Sequence, residues 1–123
     1  MYDKTILVVD DEADIREPIT RFFKRREFKQ VFSATKANEA LEIIEKEKPD
    51  LILLDIQLKD EIDGVEILKR TKNGLSPTSH VVMISGYTEG YKDICEKLGS
   101  SDFLGKPIDP TEILKRCLKV LGL

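Results

Sequence analysis

The chain has 123 residues, a length that fits one domain able to bury a core without disulfide or metal staples. Charged residues make up 35% of it and the net charge is −3, so neither a nucleic-acid surface nor an anionic membrane is expected as its main partner. No apolar run reaches transmembrane length, and Met1 to Lys4 leads straight into a strand, so a cytoplasmic protein is expected. Cys95 and Cys117 lie far apart at apolar helix positions and read as two buried thiols; His80 has no metal-binding neighbours and reads as a surface residue.

In chain order, Thr5 to Val9 reads as a buried strand ending at Asp10-Asp11. Ile15, Ile19, Phe22 and Phe23 then recur at helical spacing to about Glu27. Pro18 should kink this helix or delay its start, because it lacks a donor and restricts Glu17. Lys24-Arg25-Arg26 reads as a solvated outer face. Gln30 to Ser33 is a short strand, and a second helix starting at Thr35 or Lys36 presents Ala37, Ala40, Leu41 and Ile44.

The run Leu51-Ile52-Leu53-Leu54, led in by Pro49-Asp50, predicts a strand buried on both faces that ends in Asp55. Gly64 opens a third helix with Val65, Leu68 and Thr71 inward, ended by Asn73-Gly74. Val81 to Ile84 is a fourth strand closing on Ser85-Gly86, followed by a shorter helix with Ile94, Cys95 and Leu98. Asp102 to Leu104 is a fifth strand, then Lys106-Pro107. Asp109 caps a last helix striped by Ile113, Leu114, Cys117, Leu118 and Leu121.

Five strands alternating with five helices predict a single α/β domain over 1–123, a doubly wound parallel sheet of the flavodoxin-like kind. In the common order 2-1-3-4-5 the winding reverses between strands one and three, and sites sit at the carboxyl ends there. Asp10, Asp11 and Asp55 therefore converge. Three carboxylates repel one another and call for a cation; all-oxygen ligands favour Mg²⁺, with Mn²⁺ also suitable. Lys106 adds a second positive charge and Ser85 a hydroxyl. Carboxylate, divalent ion, lysine and hydroxyl suffice for phosphoryl transfer, with an aspartyl phosphate on Asp55 as product.

Val8-Val9-Asp10-Asp11-Glu12, Leu53-Leu54-Asp55, Ile84-Ser85-Gly86 and Phe103-Leu104-Gly105-Lys106-Pro107 resemble the motifs of the response regulator receiver domain, over essentially the whole chain. The likeness is to single-domain receivers of the chemotaxis and sporulation type. It implies that Asp55 accepts a phosphoryl group from a sensor histidine kinase or a histidine phosphotransfer protein. It also implies a regulator that assists its own phosphorylation and dephosphorylation rather than an enzyme. By the same resemblance Asp11, Asp55 and the backbone carbonyl of Gln57 hold Mg²⁺, Asp10 acts largely through water, and Lys106 contacts a phosphoryl oxygen. The Lys106-Pro107 bond is expected to be cis.

Ser85 and Phe103 match the family's switch pair, and residues about 88–121 its face toward a downstream target or a linked output domain. Gln57 and Tyr87 match positions that set the lifetime of the phosphate, and bulky Tyr87 implies slow self-dephosphorylation. Two segments depart from the pattern. Leu58 to Gly64 lacks a proline and is one residue longer, reading as a solvated loop or a determinant of partner choice. The stretch from Ser85 to Gly99 is about one residue shorter, with Gly86 and Gly90 loosening it.

Other chemistries fit less well. A phosphatase of the haloacid dehalogenase type needs a second Asp where Gln57 stands, and a flavodoxin-like electron carrier would meet repulsion between its flavin phosphate and Asp10-Asp11-Glu12. A phosphorylation-independent pseudo-receiver is the alternative of another class, although no acid or lysine is missing. The chain ends about where a receiver ends, which suits a stand-alone regulator or a piece of a longer one.

Overall fold

The structure, a computed structural model, describes residues 2–86 and 89–123. Its strands are β1 (Tyr2–Val9), β2 (Phe28–Ala34), β3 (Leu51–Asp55), β4 (His80–Ser85) and β5 (Asp102–Gly105). Its helices are α1 (Ala13–Arg25), α2 (Ala37–Glu47), α3 (Gly64–Arg70), α4 (Tyr91–Lys97) and α5 (Pro110–Val120). All strand pairings are parallel, in the order β2-β1-β3-β4-β5.

Alternate residues of the central strands feed two cores. Ile6, Val8, Leu51, Leu53, Val82 and Ile84 pack with Ile19 and Phe23 of α1 and with Ile113 and Cys117 of α5. Leu7, Val9, Ile52, Leu54, Val81 and Met83 pack with Ile44 of α2, Ile67 of α3 and Cys95 of α4. Because both faces are covered, the strands read as unbroken apolar runs instead of alternating ones. Register then aligns their ends. Val9 sits beside Leu54, Asp55 beside Ile84, and Ser85 beside Gly105, so the residues that follow share one edge.

Two expectations need correction. Helix α1 starts at Ala13, five residues before Pro18, and runs through it. An internal proline costs about 3 kcal/mol, but Ile19 and Phe23 on the same helix are fully buried, each contributing about 1.5–3 kcal/mol. Burial wins, and the start is not delayed. As expected, the third helix gives way at Asn73-Gly74: α3 passes into a π-type turn over Thr71–Leu75 in which Gly74 leaves helical geometry (φ 165°, ψ −36°), closed by Ser76 N–H donating to the Thr71 carbonyl at 3.0 Å. Leu68 and Thr71 are fully buried as expected, with Ile67 beside them, and Val65 is half-buried against the same core. Ile94 is 48% exposed although Cys95 is buried. Helix α4 spans seven residues, and its inward stripe is Tyr91, Cys95 and Leu98, leaving Ile94 a quarter-turn away. Both cysteines are buried free thiols, and His80 is exposed, its Nδ1 3.1 Å from Ser101 Oγ.

Candidate active site

The site grows from the ends of three central strands. Asp10 follows β1 and Asp55 ends β3; they are only 2% and 1% exposed. Burial of this kind penalises an ionised carboxylate, so each needs partners. Asp10 Oδ1 accepts the Glu12 N–H at 2.9 Å, and its carbonyl accepts from Arg16 Nη1 at 3.0 Å. Asp55 Oδ1 accepts the Gln57 N–H at 3.3 Å. The second oxygens, Asp10 Oδ2 and Asp55 Oδ2, are buried and receive no hydrogen bond among the described residues.

Lys106 faces both. Its Nζ is 3.3 Å from Asp10 Oδ2, 3.3 Å from Asp55 Oδ2 and 3.0 Å from Glu12 Oε1. Strand pairing delivers it there: β5 ends at Gly105 beside Ser85, and the Lys106 N–H donates to the Ser85 carbonyl at 2.7 Å. The following Lys106-Pro107 peptide bond is cis.

Electrostatics follow from this enclosure. Burial pushes the Asp10 carboxyl up to about 6, with the neighbouring Asp55 adding to the rise and the Glu12 amide and Lys106 opposing it. Burial also raises Asp55, against the pull of Lys106 and the Gln57 amide. Burial alone would depress the Lys106 ammonium; the Glu12 hydrogen bond and the Asp10 and Asp55 charges outweigh it and hold the group above its usual range.

One ammonium stands against four carboxylates. Ligand oxygens of Asp10, Asp11, Glu12 and Asp55 lie within 4.8 Å of one another. Buried oxygens that share a single ammonium, in a set containing no nitrogen or sulfur ligand, suit a hard divalent cation. Asp11 is half-buried, and its Oδ2 accepts the Lys59 N–H at 3.4 Å.

Backbone packing sets where Asp55 stands. The Gly64 N–H donates to the Ile56 carbonyl at 2.9 Å, drawing the start of α3 against the strand end. A Cβ on Gly64 would lie 2.3 Å from the Asp55 carbonyl oxygen and 2.8 Å from Ile56 Cα, so only glycine fits. Asp63 caps that helix by accepting the Glu66 N–H at 3.0 Å.

Asp10, Asp11, Asp55 and Lys106 are thus together at one edge. Ser85 is buried beside them, its hydroxyl donating to Gln57 Oε1 at 2.9 Å. Phe103 is half-buried against the α2–α4 core. Tyr87, and with it the first residue of the 88–121 face, lies outside the described residues. Sequence reasoning gave no role to Glu12, Arg16 or Asp60. Glu12 stood in the quoted acidic run, but its contact with Lys106 joins residues 94 positions apart, beyond any local pattern. Lys59, Asp60 and Glu61 are exposed as expected. Asp60 nevertheless does structural work, since its Oδ2 accepts the Ala37 N–H at 2.9 Å and caps α2 across the loop, which also draws its carboxyl below the usual range.

Comparison with known proteins agrees with this geometry. The family model described as the response regulator receiver domain matches residues 6–118. The sporulation initiation phosphotransferase F of Bacillus subtilis (strain 168) is 36% identical over 126 residues, covering 100% of this chain and 98% of that protein. The alkaline phosphatase synthesis transcriptional regulatory protein of the same organism is 34% identical over 119 residues, but the chain spans only 49% of its length. Among solved structures, a CheY-like receiver domain protein from Methanospirillum hungatei JF-1 superposes with a TM-score of 0.87 at 27% identity, covering 98% and 94% of the two chains. A response regulator from Burkholderia pseudomallei, solved with a phosphorylated aspartic acid, calcium ion and citrate, gives a TM-score of 0.82 at 27% identity, covering 94% of this chain and 66% of that one.

Proposed function

Because this chain belongs to the response regulator receiver family, whose members are phosphoacceptors of two-component systems rather than classic enzymes, we propose that Asp55 is its phosphoacceptor. The observation that carries this is the buried Asp55 Oδ2, which faces Lys106 Nζ at 3.3 Å. In the transfer, an Asp55 carboxylate oxygen attacks phosphorus, the phosphorus–nitrogen bond of a phosphohistidine breaks, and the electron pair returns to the imidazole. Lys106 is placed to neutralise a phosphoryl oxygen beside the new bond. The donor leaves with its histidine freed, and the protein, having assisted its own phosphorylation, keeps the phosphoryl group on Asp55.

The residues around Asp55 fit a divalent cation. Asp11, Asp55 and the Gln57 backbone carbonyl would hold Mg²⁺ or Mn²⁺, with Asp10 acting largely through water. When bound, such an ion offsets charge that accumulates on phosphoryl oxygens. Ser85 and Phe103 are the proposed switch: the new anion attracts the hydroxyl, and the aromatic ring turns into the space behind it. Gln57 and Tyr87 flank the path of attacking water, and we expect Tyr87→Ala to speed loss of the phosphate. The donor is a sensor histidine kinase or a histidine phosphotransfer protein, acting in the cytoplasm. A downstream target or a linked output domain reads residues about 88–121, where Ile94 offers exposed apolar surface.

Intact mass after incubation with Mg²⁺ and acetyl phosphate tests the reading. A single phosphoryl adduct that requires the metal and is absent in Asp55→Asn is expected. If neither an adduct forms nor beryllium fluoride binds in Mg²⁺, the phosphoacceptor reading fails, and a phosphorylation-independent partner module takes its place.

A further inference from the structure

Ser85 and Gln57 share a contact that phosphoryl transfer itself does not require. The Ser85 hydroxyl donates to Gln57 Oε1 at 2.9 Å. A hydroxyl carries one hydrogen, so while Gln57 receives it, a phosphoryl oxygen on Asp55 cannot. The contact is enclosed. Ser85 is fully buried, and the other end of the same amide, Gln57 Nε2, is buried with no hydrogen-bond partner among the described residues.

Both residues are also anchored to the reacting groups. The Gln57 N–H donates to Asp55 Oδ1 at 3.3 Å, and the Ser85 carbonyl accepts the Lys106 N–H at 2.7 Å. The two backbones are therefore fixed relative to the phosphoacceptor and the lysine. What remains free to change is the direction of one hydroxyl hydrogen and one amide.

We infer that Gln57 is a positioning residue that latches the switch hydroxyl in its resting arrangement, competing with the phosphoryl group for the Ser85 hydrogen. The inference rests on the reading of Asp55 as phosphoacceptor and Ser85 as switch, and it adds a task that the Gln57 side chain performs before any phosphate arrives. Hydrogen bonds to ionised acceptors are roughly twice as strong as neutral ones, so the phosphoryl group wins the competition. It does so at a cost, because Gln57 Oε1 then loses its buried donor. The latch thus lowers the resting population of the switched state, and its removal pre-pays part of the change.

The test is a double-mutant cycle on the dissociation constant of beryllium fluoride in Mg²⁺, measured calorimetrically on the whole chain. Gln57→Leu removes the acceptor; Gln57→Met serves if that variant fails to fold. With Ser85 intact, the Gln57 variant is expected to bind about fivefold more tightly, the worth of one neutral hydrogen bond. In the Ser85→Ala background the same substitution is expected to change nothing. A variant that binds no better than the parent overturns the latch. An equal gain in both backgrounds also overturns it, since side-chain bulk would then explain the effect. If the parent itself binds no beryllium fluoride, the phosphoacceptor reading falls and the latch with it, a result distinguishable from failure of the latch alone.

Discussion

The two edges of the sheet treat buried polar groups in opposite ways. At the edge where β3 and β4 begin, every buried side-chain polar atom among the described residues has a partner. Ser76 and Ser79 share a hydrogen bond of 2.6 Å, and Ser79 Oγ donates to the Pro49 carbonyl. Lys72 Nζ donates to the Pro77 and Ser79 carbonyls at 3.1 and 2.6 Å, while Asp50 Oδ2 accepts the Thr5 N–H at 2.7 Å. At the edge where the strands end, Gln57 Nε2 is buried with no hydrogen-bond partner among the described residues, and Asp10 Oδ2 and Asp55 Oδ2 are buried facing one shared ammonium, Lys106, at 3.3 Å. A satisfied buried network holds a loop in place; an unsatisfied one is costly unless something else binds there. The first edge secures the fold; on the function proposed above, the second keeps stabilisation in reserve for a cation and a phosphoryl group.

Substitutions sharpen that contrast. The largest effect is expected from Gly64→Ala, whose added Cβ would drive into the backbone of Asp55 and Ile56. A loss of about 3 kcal/mol is expected from this overpacking, together with loss of phosphoryl uptake. Gly74→Ala, where a Cβ meets nothing within 4 Å, is the control and should change little. Urea denaturation of both variants checks this; equal destabilisation would remove the claim that Gly64 positions Asp55.

Asp10→Asn should act in the opposite direction. In the metal-free fold Asp10 keeps its proton up to about pH 6, against a reference value of 3.8. The folded state thus binds that proton more tightly than the unfolded chain. Stability from it is complete below pH 3.8 and is lost as the pH rises to about 6. The asparagine variant should lose the Asp10 share of that slope, leaving the part due to Asp55, and be more stable above the window by about 2–3 kcal/mol. Thermal melts in a chelator from pH 4 to 7 decide the matter, and parallel curves for parent and variant would count against a strained site.

Ser79→Ala is expected to have the smallest effect and the conventional sign. It removes the donor to the Pro49 carbonyl and the partner of Ser76, costing about 1–2 kcal/mol, with phosphoryl uptake unchanged. A melt and an intact-mass measurement on the same sample separate the two edges. Gain of stability here, or loss of uptake, would erase the contrast.

The two edges also differed in how far the sequence disclosed them. Leu51 to Asp55 declares a doubly buried strand and a terminal carboxylate, and strand order then brings Asp10, Asp11 and Lys106 to it. Polar pairs such as Ser76–Ser79 and Lys72–Ser79 follow no period, and nothing in the chain marks them as buried. Pro18 does not delay the start of α1, because a local rule is offset by the distant packing of Ile19 and Phe23. Ile94 misled because a seven-residue helix turns too few residues inward for spacing to identify its face. The Ser85–Gln57 hydrogen bond joins the end of β4 to the loop after β3, and only their positions in space reveal it.

The central claim, that Asp55 carries the phosphoryl group, is most directly tested by trapping it. Protein treated with acetyl phosphate and Mg²⁺ would be reduced with borohydride, which converts an aspartyl phosphate to homoserine, then digested and sequenced by mass spectrometry. The account predicts homoserine at position 55 and nowhere else. Homoserine at position 10 or 11, or phosphate retained on Ser85 with position 55 unmodified, would contradict it.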